Sequence, residues 1–154
     1  MKNTPNVQID PSITGILPHE INTALALGKA GYKVVFLKPH SNLKTADAYV
    51  NGLLFEFKSS EGSKSRTIEH VVKKAAKQSE NLVFDSSRMK NIRDQSIQNF
   101  LLKLLKTNRI GLKRILFVNR NREVIDIAKL IWYNKNIEAL EGVYAPSLGL
   151  LFML

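Results

Sequence analysis

The sequence has no cysteine and only three histidines among its 154 residues. Disulfide bonds and thiolate zinc sites are therefore excluded, and cysteine usage does not indicate a redox compartment. His19, His40 and His70 lack the spacing of metal ligands. We expect His19 and His70 to be surface or helix-capping residues.

Long hydrophobic runs are also missing. The N-terminus has no apolar core of the kind found in signal peptides, so no signal peptide is predicted. The longest late apolar stretch, residues 148–154, falls far short of the roughly 20 residues that span a bilayer. We expect it to be a buried final strand or a docked tail, and we predict no membrane span.

Acidic residues are scarce relative to basic ones. The chain has 13 Asp and Glu against 23 Lys and Arg, which gives a formal net charge of +10. This excess favours an anionic partner, with nucleic acid ahead of an acidic protein or membrane surface. The alternative is a basic soluble protein with no such partner.

The most informative pattern present is Asn51-Gly52 between two strand-like runs. Asn-Gly is a strong hairpin signal because a type I′ turn needs positive φ at both central residues. A two-residue turn places Asp47 opposite Glu56, and strand alternation puts Lys58 on the same face as Glu56. Directly opposed like charges destabilise a sheet, and a divalent cation between them removes that penalty.

This arrangement indicates metal-assisted phosphodiester cleavage. Mg²⁺ prefers oxygen ligands and binds through one or two carboxylates, and Asp47 and Glu56 supply such oxygens. A divalent cation activates water and neutralises charge on the phosphate. Lys58 adds a positive charge that orients the water or stabilises the transition state. Mg²⁺ is the expected cofactor, with Mn²⁺ or Zn²⁺ as alternatives.

Hydrophobic periodicity predicts helices mixed with single and paired strands, which indicates an α/β fold of three layers around a mixed central sheet. Residues 1–17 are expected to be an irregular lead-in, and residues 18–154 a single domain. Residues 123–132 are either part of a second hairpin or helical. The predicted elements are helices at 18–30, 66–80 and 90–107, strands at 33–37, 81–85 and 114–118, and a second hairpin with a strand at 124–127.

The spacing D-x8-E-x-K, read from Asp47, Glu56 and Lys58, resembles the PD-(D/E)XK nuclease superfamily. The order helix, motif-bearing hairpin, helix and strand matches that superfamily's core, although Ala46 stands where it usually has proline. The resemblance implies a restriction-endonuclease-like core in which helices flank the hairpin.

Longer stretches resemble a narrower family, the C-terminal tRNA-nuclease toxin domains of contact-dependent growth inhibition (CdiA) proteins. The similarity covers about residues 18–130 and includes His19-Glu20, Asp47-Ala48-Tyr49, Glu56-Phe57-Lys58 and the stretch 74–85. It implies a toxin that cleaves tRNA in a bacterial cytoplasm, is delivered as part of a larger protein and is neutralised by a cognate immunity protein. It also adds Glu20 to the catalytic and metal-binding set. The alternative for Glu20 is a favourable interaction with the positive end of its helix.

Nucleic-acid binding is predicted for residues on and before the basic helix. Their alternative is a solvated helix face or a flexible polar loop, and Trp132 and Tyr133 are expected in the core rather than stacked on bases. An immunity partner covering a basic surface is expected to be acidic. The predicted nucleic-acid-binding residues are Ser60, Lys64, Lys73, Lys74, Lys77 and Gln78.

Three functions remain open on this sequence. The first is a metal-dependent RNase, with tRNA as the favoured substrate. The second is a DNA endonuclease of the restriction, repair or mobile-element type, because the motif does not separate RNA from DNA. The third is a non-catalytic nucleic-acid-binding module, for which opposed carboxylates have no evident use.

Overall fold

The computed structural model describes residues 6–39 and 46–151, with residues after 140 described by their backbone alone. It contains a seven-stranded mixed sheet and four helices, so the predicted α/β class is confirmed. In chain order the elements are β1 (Val7–Gln8), α1 (Pro18–Lys29), β2 (Val34–Phe36), β3 (Ala48–Val50), β4 (Leu53–Ser59), α2 (Ser65–Ala76), β5 (Asn81–Asp85), α3 (Asp94–Thr107), β6 (Arg114–Val118), β7 (Val124–Asp126) and α4 (Ile127–Leu151).

The strands lie in the sheet in the same order as in the sequence. β1 pairs in parallel with β2, and β2, β3 and β4 form an antiparallel meander. β4, β5 and β6 are parallel, and β7 returns antiparallel to β6. The parallel strands are joined through α2 and α3, as parallel connections require a crossover.

The core consists of two apolar clusters on opposite faces of the sheet. Leu27 of α1 packs on one face with Phe55 and Val83, and Ile68 of α2 packs on the other with Phe84. β5 and β6 therefore bury both faces, which explains why their sequences read as continuous apolar runs rather than alternating ones. The strand bounds predicted for β5 and β6 coincide with those observed.

The N-terminal lead-in is not wholly irregular. Residues 1–5 of the predicted stretch lie outside the described part, but Val7–Gln8 forms the edge strand β1. Val7 is buried, and Ile9, Ile13 and Ile16 pack against the same apolar cluster as α1. A two-residue strand with one apolar residue carries too little periodicity to be detected in the sequence.

The buried face of α1 consists mainly of small residues. Leu25 is exposed, whereas Ala24 and Leu27 are fully buried beneath the helix. α1 starts at Pro18 and stops before Gly31, whose positive φ of 95° ends the helix. Small residues facing the sheet allow a close approach, so the buried face is not the one with the largest side chains.

In the C-terminal part, the burial predicted for two aromatic residues was wrong, and so was the strand alternative for the last apolar stretch. Trp132 and Tyr133 are exposed, at 62% and 55% of their surface, rather than buried in the core. Residues 148–151 continue α4 instead of forming a strand, and residues 152–154 lie outside the described part. Both alternatives for residues 123–132 are partly correct, because the strand β7 of the second hairpin leads directly into the helix α4.

No helix in the described ranges is both long and apolar enough to cross a membrane.

Candidate active site

The hairpin forms with the predicted register. Asn51 and Gly52 have φ values of 47° and 81°, and Val50 pairs with Leu53 as the turn closes. The last regular pair toward the open end is Ala48 with Phe55. The hairpin signal therefore predicted the local structure correctly down to individual pairs.

Asp47 lies just beyond the last pair and is fixed by the backbone of β4. Its N–H donates to the Phe55 carbonyl at 3.0 Å, and its Oδ2 accepts from the Phe57 N–H at 2.6 Å. These two bonds bracket Glu56, the residue between them in β4. The Asp47 carboxylate is thereby held beside Glu56, as the register predicted.

Glu56 is the most deeply buried acid of the motif, with 2% of its surface exposed. Its Oε1 accepts a hydrogen bond from Lys58 Nζ on the same strand. Its Oε2 is buried and has no hydrogen-bond partner among the described residues. A buried oxygen without a partner destabilises the folded state, because it loses its hydrogen bonds to water and forms none in their place.

The environment of Glu56 favours its protonated form. Burial raises the pKa of Glu56 to about 7, and the nearby negative charge of Asp47 acts in the same direction. The hydrogen bond and positive charge of Lys58 oppose this rise in pKa. Buried acids with a strongly shifted pKa beside a second charged group are frequent at functional sites.

Lys58 lies on the Glu56 face of β4 and keeps a quarter of its side chain exposed. β4 pairs in parallel with β5 here, with Glu56 beside Leu82 and Lys58 beside Phe84. β4 lies between β3 and β5 in the sheet, and this pairing fixes the backbone that carries both side chains. The structure thus brings Asp47, Glu56 and Lys58 together at the open end of the hairpin.

Glu20 has a local structural role in addition to its position near the motif. Its Oε2 accepts from the Leu17 N–H at 2.9 Å, which caps the first turn of α1. Glu20 and Asp47 both line a cleft of about 170 Å³, together with Ile16, Phe36 and Leu37. The helix-capping alternative is therefore observed, and the cleft also leaves Glu20 on the same side as Asp47.

Among the residues that the structure describes, no group of three or more His, Asp or Glu side chains is placed to hold a metal ion. A site here would rest on Asp47 and Glu56. Mg²⁺ tolerates such a small protein ligand set, because water and substrate phosphate supply its other oxygens. The unpartnered Glu56 Oε2 is the observation that fits a cation at this point.

The loop residues predicted to touch nucleic acid follow the motif directly. Ser60 is mostly buried, and its Oγ accepts from the Gly62 N–H at 3.3 Å. Lys64 is exposed and immediately precedes α2, where its carbonyl accepts from the Thr67 N–H. Lys64 is thus free to reach solvent near the open end of the hairpin, whereas Ser60 supports the loop.

The basic residues of α2 lie elsewhere. Lys73, Lys74 and Lys77 are exposed and line a separate cleft with His70 and Arg109. Gln78 follows α2 and is partly buried, and its neighbour Ser79 donates to the Leu54 carbonyl near the hairpin turn. The structure therefore does not bring these four predicted residues to the Glu56–Lys58 end of β4.

Sequence reasoning did not identify an arginine beside the motif. Arg88, in the turn after β5, forms an ion pair with Glu61. Its Nη1 lies 3.5 Å from the Ser59 carbonyl oxygen. The same Nη1 lies 3.4 Å from His19 Nδ1. Only the parallel pairing of β4 and β5 brings these residues together, so no local sequence signal marks them.

A buried ion pair fixes the same end of the sheet. Asp85, 1% exposed, is bound by both oxygens to Arg122 Nη1 at 3.0 and 3.1 Å. Thr23 Oγ1 donates to Asp85 at 2.5 Å, and the Ser87 N–H donates at 2.8 Å. Arg122 also donates to the Asn22 carbonyl of α1. This cluster ties α1 to the ends of β5 and of the β6–β7 turn.

Residues 44–124 match the contact-dependent growth inhibition CdiA C-terminal domain family. The match spans more than half of the sequence and contains the whole hairpin. The chain belongs to this family. It is therefore a CdiA C-terminal toxin domain, and the suspected family resemblance is confirmed at this level.

The fold of this CdiA C-terminal domain is also found in a solved structure. A chain of the CdiA-CT/CdiI toxin and immunity complex from Burkholderia pseudomallei superposes with a TM-score of 0.60 at 18% identity. The similarity covers 77% of the present chain and 96% of the other. No curated protein sequence matches the chain. At this identity the solved structure supports a shared fold.

Proposed function

We propose that this CdiA C-terminal domain is a metal-dependent nuclease that cleaves RNA, with tRNA as its substrate, at the Asp47–Glu56–Lys58 hairpin. The observation that carries the proposal is the buried Glu56 Oε2, which has no partner among the described residues and lies beside a second carboxylate. Two neighbouring carboxylates repel each other, and a divalent cation bound between them would remove this repulsion.

The fold supports the same proposal. α1 packs on one face of the sheet and α2 and α3 on the other, with the motif on a hairpin that enters the parallel strands. This order supports a restriction-endonuclease-like core, and we propose that the domain is a divergent member of the PD-(D/E)XK superfamily. Ala46 stands where that superfamily usually has proline, but the spacing of Asp47, Glu56 and Lys58 still matches its motif.

Each residue of the motif has a distinct proposed part. Asp47 and Glu56 would hold the cation through carboxylate oxygens, with Glu20 reaching it directly or through water. The cation, Mg²⁺ or alternatively Mn²⁺ or Zn²⁺, would supply Lewis acidity at the phosphate. Lys58 Nζ, held against Glu56 Oε1, would place a positive charge where negative charge develops on the phosphate oxygens.

The substrate assignment rests on charge and family. A net charge of +10 favours a polyanion, and the family resemblance favours tRNA over DNA. Growth inhibition by such a domain would then follow from tRNA cleavage in the cytoplasm of a target bacterium after delivery within a larger protein. A cognate immunity protein, expected to be acidic, would cover the basic surface.

The proposal is tested by incubating the purified protein with total tRNA and with plasmid DNA, with added Mg²⁺ and with EDTA. We expect cut tRNA and intact plasmid with Mg²⁺, and no cleavage with EDTA. Cut plasmid with intact tRNA would instead favour a DNA endonuclease. If the protein binds nucleic acid in a salt-sensitive way but cleaves none with Mg²⁺, Mn²⁺ or Zn²⁺, the domain is a non-catalytic nucleic-acid-binding module.

A further inference from the structure

A second basic site lies apart from the hairpin. Four cationic side chains, Lys73, Lys74, Lys77 and Arg109, line one cleft of about 700 Å³ together with His70. Among the described residues that line it, none is acidic. Lys73 also forms an exposed ion pair with Glu69, so Lys74, Lys77 and Arg109 are the cations least compensated there.

Two separate elements build this cleft. Lys73 and Lys74 come from the last turn of α2 and Lys77 is its C-cap, whereas Arg109 comes from the loop between α3 and β6. Asn108 and Gly111 have φ values of 48° and 79°, and these turns bring the loop back toward α2. A helix face alone would give a row of lysines, but the loop adds an opposing wall and makes a groove.

The cleft is remote from the catalytic residues. Ser79, which follows α2, and Asn81, the first residue of β5, both donate to the Leu54 carbonyl at 2.9 Å, so this end of α2 is level with the hairpin turn. Lys58 lies four residues further along β4, which is about 13 Å at the rise of a strand. A phosphate in the cleft is therefore not the phosphate being cleaved.

We infer that this cleft is an anchoring site for the phosphate backbone of a second segment of a structured RNA. Clustered cations with no acidic residue in the lining of their cleft bind phosphates of any sequence and release counterions as they do so. An anchor outside the hairpin favours substrates that reach both sites at once over those too short to do so. The inference rests on the proposed function for its substrate class, but it concerns binding rather than cleavage.

The test uses Asp47→Ala protein, in which binding is measured without cleavage. Lys74→Ala, Lys77→Ala and Arg109→Ala are combined in one variant. A control combines Lys29→Ala, Lys33→Ala and Lys103→Ala, which removes the same charge at exposed positions outside the cleft. Affinity for total tRNA is measured by filter binding at several salt concentrations.

We expect the cleft variant to lose about 10-fold or more in tRNA affinity. The slope of log K against the logarithm of the salt concentration should become shallower by about 2 to 3, because three cations are removed. The control should lose less than the cleft variant at every salt concentration. Binding of a short single-stranded RNA should be less affected than binding of tRNA. This pattern supports an anchor even if the parent cleaves nothing, in which case only the proposed nuclease activity fails.

Equal losses in the two variants would overturn the inference, because bulk charge alone would then explain binding. Unchanged tRNA affinity would also overturn it. If that unchanged affinity came with weaker binding of poly-L-glutamate, the cleft would be assigned to an acidic protein surface instead. Circular dichroism checks that both combined variants remain folded.

Discussion

Lys58 Nζ is hydrogen-bonded to Glu56 Oε1, while the other oxygen of Glu56 is buried without a partner among the described residues. The negative charge of Glu56 is therefore only partly compensated by hydrogen bonding. The lysine stabilises the charged form, and burial and Asp47 destabilise it. This imbalance makes the stability of the protein depend on pH and on cations in ways that can be measured.

The first prediction concerns pH in metal-free buffer with EDTA. Burial raises the pKa of Glu56 from 4.5 to about 7, so between these values the folded state binds more protons than the unfolded state. The contribution of Glu56 to the free energy of unfolding is then highest below pH 4.5 and falls as the pH rises to about 7. Glu56→Gln removes this dependence and should stabilise the protein at pH 8, on the order of 1 kcal/mol.

Chemical denaturation of the parent and Glu56→Gln at pH 5 and pH 8 measures this effect. The difference in stability between the two proteins should be larger at pH 8. If Glu56→Gln is destabilised equally at both pH values, the raised pKa is not a property of Glu56. Glu69→Gln, at a more exposed acid that pairs with Lys73, provides a control without this burial.

The second prediction concerns metal binding without substrate. Mg²⁺ that binds the folded protein raises its stability by mass action, by about 2.7 kcal/mol at a hundred times the dissociation constant. Thermal unfolding with and without Mg²⁺ should show this rise in the parent and lose it in Asp47→Ala. Lys58→Met should keep it, since the lysine is not a ligand. A rise of equal size in Asp47→Ala would place the cation elsewhere.

The third prediction concerns the Asp85–Arg122 pair. Removing Arg122 leaves the buried Asp85 carboxylate without its counter-charge, which costs about 3 kcal/mol of unfolding free energy. Arg122→Ala should therefore be strongly destabilised in urea denaturation, and Asp85→Asn added to it should restore part of the loss. Lys113→Ala breaks an exposed pair with Glu80 and should cost less than about 1 kcal/mol. Similar losses for Arg122→Ala and Lys113→Ala would show that burial does not govern this pair.

Local patterns predicted the hairpin well, and pairing between distant strands explains what they missed. Asn51-Gly52 fixed the register, and the register placed Asp47 beside Glu56 without any tertiary information. Arg88 reaches the motif only because β5 lies next to β4. Charge alone predicts nucleic-acid binding for Lys73 and Lys77, because a helical pattern does not indicate which end of the sheet a residue lies against.

Side-chain size does not indicate which residues are buried in two of the helices. In α1 the fully buried positions include Ala24, while Leu25 is 40% exposed, because close packing on the sheet favours small residues. In α4 the aromatic pair Trp132 and Tyr133 faces solvent, with its rings 5.2 Å apart. Apolar character alone does not indicate which face of a helix meets the core.

The central claim is that Asp47, Glu56 and Lys58 form one catalytic site. The most direct test is the initial rate of tRNA cleavage in Mg²⁺ by the parent and by Asp47→Asn, Glu56→Gln and Lys58→Met, which preserve side-chain size. Each variant should remain folded by circular dichroism and lose at least about 100-fold in rate. Folded variants that cleave tRNA at the rate of an active parent would contradict the account.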